Sequence, residues 1–124
     1  MISYRACVRT GCAALFAAAV TLPTASFAVP RYDGLWSVSI VTTKGDCIAS
    51  YRYPMRISNG VLANGGDVVI DVHGKVAPTG TIKVLVSHGD SHATGLGKLA
   101  ANSGRGTWTG GSCAGLWTAE RRSL

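Results

Sequence analysis

The side chains in this 124-residue sequence best suited to chemistry are three histidines, His73, His88 and His92, and six carboxylates. His88 and His92 flank a His-Gly-Asp turn. With Asp90 they could hold a transition metal or ligate haem iron. Their spacing matches no metal-site pattern, so they read as exposed turn residues. Asp71-Val72-His73 sets a carboxylate and an imidazole two residues apart on one strand face, a fragment of a catalytic triad. No serine sits in a nucleophile elbow to complete it. Asp71, Asp90 and Glu120 have no second carboxylate at a diagnostic spacing. The glycine-rich segments precede strands rather than a helix, which excludes a phosphate loop. These residues predict a protein that is not an enzyme and has no cofactor.

The cysteines point to a compartment instead. Arg5 and Arg9 are followed by an apolar run, Ala13 to Leu22, then Pro23-Thr24 and small residues at Ser26 and Ala28. This is the three-part pattern of a secretory signal over residues 1–28, cleaved after Ala28. The run is shorter than the roughly 20 residues a membrane helix needs, which argues against an uncleaved anchor. Cys12 precedes the apolar run, and Arg9-Thr10-Gly11 does not fit a lipoprotein box. Cys7 and Cys12 leave with the leader. Cys47 and Cys113 remain in the 96 residues left of 124, one domain over residues 29–124. In an oxidising compartment such a pair defaults to a disulfide. A bridge closing about 67 residues stabilises by about 4 kcal/mol in the chain-entropy model. Without a Cys-x-x-Cys spacing, a metal pair or redox couple is the weaker reading. The expected location is periplasmic or secreted.

Without Arg5 and Arg9 the formal charge falls from +6 to +4. The cations are scattered along the chain and read as a solvated face. Neither nucleic acid nor stable membrane insertion is expected. The partner is open: a protein or a small apolar ligand.

The elements that carry these residues are strands. Turn signals recur about every 8 to 12 residues, and no helical stripe follows residue 28. Alternation predicts strands near 35–43, 49–58, 61–63, 67–73, 75–77, 81–87, 91–99, 105–109 and 112–120. Trp36, Val38 and Ile40 share one face of the first strand; Tyr51, Tyr53, Met55 and Ile57 share one face of the second. Pro54 marks an edge or a bulge. Val68, Ile70 and Val72 are expected inward, and the face of 91–99 is ambiguous. About eight short antiparallel strands in a meander close into a small barrel or a two-layer sandwich. A Gly110-Gly111 turn would set Trp108 opposite Cys113. Parity turns Cys47 and Cys113 toward apolar faces, burying the disulfide beside Trp108 and Trp117.

Gly-x-Trp occurs three times, ending at Trp36, Trp108 and Trp117, and reads as core tryptophans. A first strand opening on Gly-x-Trp and a last strand ending in arginine resembles the calycins, the lipocalin and avidin superfamily. The resemblance implies an up-and-down barrel whose closed end has an arginine, Arg121 or Arg122, packed over Trp36. The size, leader, single disulfide and Gly-x-Trp start are similar to small periplasmic inhibitors of secreted metalloproteases. That likeness implies an inhibitory segment at Val29-Pro30-Arg31-Tyr32. The ending Cys113-Ala114-Gly115-Leu116-Trp117-Thr118-Ala119-Glu120-Arg121 also resembles small glycine-rich exported bacterial proteins of unknown function, some with haem-utilisation labels. The expected function is a non-enzymatic exported binding or structural module, with a protease inhibitor and a haem or metal binder as alternatives.

Overall fold

A computed structural model describes residues 31–124. The leader, Cys7, Cys12, Val29 and Pro30 lie outside the described residues. The described chain forms eight strands: β1 (Gly34–Lys44), β2 (Ser50–Ser58), β3 (Val61–Asn64), β4 (Asp71–Val76), β5 (Thr81–His88), β6 (Ser91–Leu99), β7 (Ser103–Gly110) and β8 (Cys113–Ser123). Each pairs antiparallel with the next, and β8 closes on β1 to complete a barrel. The sheet closes on itself rather than stacking as a two-layer sandwich, and its thinnest seam is β3–β4, joined by the one pair Val61 and Lys75.

Tight turns hold the register. Asn59 and Gly60 both have positive φ, 51° and 77°, the pattern of a type I′ hairpin. The Asp33 carboxylate accepts from both amides, at 2.6 and 3.0 Å. The last hairpin differs from expectation. Gly110 pairs with Cys113, so the turn is Gly111-Ser112 and Trp108 lies opposite Gly115 rather than Cys113. Gly111, at φ 57°, takes the first central position, where a type II′ turn requires glycine. The slip is two residues, so every side chain keeps its face.

The interior is filled by large rings set against missing side chains. Trp36, Met55, Ile57, Leu62, Ile82 and Leu99 pack toward one end, with Trp36 only 1% exposed. Higher up, β6, β7 and β8 present glycines inward to Trp108 and Trp117. A β-carbon on Gly97 or Gly106 would lie 2.5 or 2.7 Å from the Trp117 ring, and one on Gly115 would lie 2.7 Å from Trp108 Nε1. This settles the ambiguous strand: Gly95 and Leu99 are buried inward while Leu96 and Lys98 are exposed. With the rings flat on the wall, each indole N–H donates to a strand carbonyl. Trp117 reaches Leu96 and Thr107, and Trp108 reaches Val41.

Two expectations need correction, and one is narrowed. Residues 67–70 do not join a strand; β4 runs unbroken from Asp71 to Val76 through Gly74, and Val68 is 55% exposed. Of the edge or bulge expected at Pro54 it is the edge that forms: β2 pairs with β1 without a register break, but the β3 ladder starts only at Met55, so Pro54 has a strand partner on one side alone. Cys47 sits in the β1–β2 loop and is exposed, although Cys113 is buried. Strand parity could not be carried across a loop.

Candidate functional site

The two ends of the barrel are built differently. At one end Arg121 lies over Trp36, its guanidinium carbon 5.1 Å from the ring centroid. The Arg121 guanidinium donates to the carbonyls of Ala101, Arg31 and Asp33. The Trp36 indole donates to the Tyr32 carbonyl at 2.8 Å. Tyr32 is itself buried. The chain entering β1 is thereby bolted across this end and shuts it. Arg122 points outward and pairs with Glu120 at 3.6 Å.

The other end opens. Here the β1–β2, β3–β4, β5–β6 and β7–β8 connections surround a cleft of about 640 Å³. It leads to an apolar chamber of about 90 Å³ in the barrel axis. Tyr51, Tyr53, Val86, Ala93 and Trp108 line both and form the neck. Tyr51 and Tyr53 alternate inward on β2 and stack, with ring centroids 5.8 Å apart and planes 26° off parallel. Burial pushes the Tyr53 hydroxyl up to about 12, helped by the neighbouring Tyr51, and burial also raises Tyr51. Both phenols are therefore neutral donors at physiological pH.

The rim is polar and tied down. The Cys47–Cys113 disulfide, S–S 2.00 Å, joins the β1–β2 loop to the start of β8 and lines the cleft. Gly45, at φ 95°, brings that loop within touching distance of Cys113. His88 Nδ1 is 2.7 Å from the Val69 carbonyl, which anchors the β3–β4 connection. Asn64 steadies the same segment, donating to the Val68 carbonyl and accepting from the Gly66 amide. Val68 and Val69 are left projecting at the mouth, Val69 83% exposed. Arg52, Asp90 and His92 complete the rim.

The structure gathers some of the sequence's candidate residues and scatters others. His88, Asp90 and His92 share the rim, but among the described residues no three His, Cys, Asp or Glu side chains cluster well enough to hold a metal ion. Asp71 and His73 are exposed on the outer wall, and neither lines the cleft. Of the Val29-to-Tyr32 segment, the described Arg31 and Tyr32 belong to the closed end. Trp108 lies at the neck, Trp117 below it, and Trp36 at the far end. The sequence reading placed Tyr51 and Tyr53 in the core and overlooked Arg52 at the mouth. The Tyr-Arg-Tyr alternation was visible, but not its height along the barrel.

The chamber alone is smaller than the roughly 150 Å³ cavity that admits benzene. The cleft above it falls within the roughly 300–1,000 Å³ range of ligand pockets. Such a funnel can take a molecule whose narrow apolar tip enters the neck while its polar part stays at the rim. A macrocycle such as haem exceeds the chamber. Among the described residues no helix is long and apolar enough to cross a membrane. No protein-family model, curated protein or solved structure matches the chain.

Proposed function

We propose that this is an exported, non-enzymatic binding module that takes the apolar tip of a small ligand through the open end of its barrel. The carrying observation is the continuous path from cleft to chamber through a largely aromatic and aliphatic neck, closed at the far end by Arg121 and Trp36. A disulfide at the mouth supports an oxidising compartment, periplasmic or extracellular. The leader-like residues 1–28 support the same reading. The placement of Arg121 over Trp36 in an up-and-down barrel supports a calycin-like design. The polar rim holds no paired acid and base, which favours binding over catalysis.

The test is titration with a medium-chain fatty acid and with N-phenylnaphthylamine, read by tryptophan and probe fluorescence. Saturable binding is expected. It should disappear in Ala93→Leu, which fills the neck, while that variant melts no lower than the parent. No saturable signal in the parent, or undiminished binding in Ala93→Leu, contradicts the proposal.

A further inference from the structure

The meander converts scattered cations into a patch. On the outer wall Lys75 of β4 lies directly opposite Lys83 of β5, and Lys98 of β6 lies directly opposite Arg105 of β7. Lys83 pairs with Leu96, so Lys98 is its diagonal neighbour. All four are exposed. Directly opposed strand residues stand roughly 5 Å apart and diagonal ones roughly 7–8 Å. These spacings are within the Debye length of about 8 Å at physiological ionic strength, so the four charges act together. Like charges directly opposite destabilise a sheet. Among the described residues the one ion pair is Arg122–Glu120, on another strand.

The patch belongs to a wider polarity. The closed half of the barrel also carries Arg31, Arg56, Arg121 and Arg122, eight cations in all, against only Asp33 and Glu120. Asp33 is committed to the Asn59 and Gly60 amides, and Glu120 to Arg122. The open half reverses the balance, with Lys44 and Arg52 against Asp46, Asp67, Asp71 and Asp90. Apolar side chains stand among the wall cations: Leu96 is 50% exposed, and Leu85 and Val61 nearly as much. Each opposed pair also borders a shallow groove. One groove lies at the β3–β4 seam, where a single residue pair, Val61 with Lys75, joins the strands. The other lies beside Lys98 and Arg105.

We infer that the β4–β7 wall docks onto an anionic phospholipid surface, with Lys75, Lys83, Lys98 and Arg105 on headgroup phosphates and Leu85 and Leu96 against the interfacial acyl region. A soluble polyanion would satisfy the cations but leave the leucines without a role. Docking is peripheral and engages the closed half of the wall, with the acidic residues, Asp71 and Asp90 among them, at its open end. The inference stands independently of what enters the barrel.

The test is co-sedimentation of the purified, disulfide-intact protein with vesicles of phosphatidylcholine, alone or mixed with phosphatidylglycerol. Partition only onto the anionic vesicles, falling with salt, is expected. Each wall cation should contribute about fivefold, so the Gln replacement of Lys75, Lys83, Lys98 and Arg105 together should lose more than about a hundredfold. That variant should melt no lower than the parent, because two like-charge pairs are relieved. Lys44→Gln, at the mouth, should bind as the parent does. Leu85→Ser with Leu96→Ser should weaken vesicle binding several-fold but leave binding to dextran sulfate unchanged. Equal binding to neutral vesicles, an unaffected four-site variant, or a leucine variant that binds vesicles like the parent would each overturn the inference.

Discussion

Arg121 is the side chain whose loss should tell most about how the barrel is held shut. Its guanidinium serves three backbone carbonyls, at Ala101, Arg31 and Asp33, and covers the Trp36 ring. Hydrogen bonds from a charged donor contribute about 1.5–3 kcal/mol each. Part of this guanidinium is open to water, so the low end applies, and carbonyls exposed by truncation regain water. The cation–π contact adds about 0.5–1 kcal/mol at such a site. Simple addition gives a ceiling near 5 kcal/mol, and rehydration brings Arg121→Ala to about 2–4 kcal/mol. In a domain of this size each kcal/mol shifts the melting point by about 4–8 °C, so a fall of at least about 8 °C is expected. Urea unfolding followed by tryptophan fluorescence measures it, and the slope with denaturant should stay unchanged. Arg122→Ala is the internal comparison. It removes only an exposed ion pair and should lose no more than about 1 kcal/mol. A loss below 1 kcal/mol for Arg121→Ala, or equal losses for the two arginines, would refute this account of the closed end.

The remaining predictions concern the mouth and the wall. Replacing Cys47 and Cys113 together by alanine should lower stability by about 2–5 kcal/mol, measured against the oxidised parent in urea. Tyr53 is held neutral in the fold with its titration raised to about 12, against 10.0 for the unperturbed group. Its contribution is therefore intact below pH 10 and declines as pH rises from 10 toward 12, because the unfolded chain loses the proton first. Denaturant titrations across that window should show the decline, and Tyr53→Phe should lessen it. Gly106→Ala would push a β-carbon against Trp117 and the β6 backbone, with an expected loss of about 1–3 kcal/mol and a changed tryptophan emission. In a fatty-acid series, each methylene entering the chamber should tighten binding about fourfold, from about 0.8 kcal/mol apiece, until the small chamber is full and the gain stops.

The strands were legible where side chains alternate in size. Trp36-Val38-Ile40 and Tyr51-Tyr53-Met55-Ile57 fixed their own faces, because only one parity was apolar. In β6 the apolar parity is carried by glycines, whose inward position follows from Trp117 arriving from β8. No local pattern encodes that. Val68-Ile70-Val72 alternated convincingly, yet β4 begins only at Asp71, leaving Val68 and Ile70 at the rim. Cys47 could be paired with Cys113 by elimination, but its exposure depended on a loop conformation. The mouth was the least legible part. Tyr51 and Arg52 lie far along the chain from His88 and Asp90, and only the antiparallel register sets the two pairs at one height. The same folding of distances brought four separated cations onto one wall.

The seam between β1 and β8 differs from every other in the barrel, because it alone joins the first strand to the last. The other seven seams are hairpins or short connections that can form as soon as neighbouring strands are available. The barrel is therefore an open, curling sheet until its final strand arrives, with the outer side of β1 offering backbone groups to any passing strand. A chain cut short before β8 would also lack Cys113 and Arg121, the disulfide and the bolt of the shut end. Such a product should associate edge to edge with its own copies, a hazard the intact protein removes in a single late event.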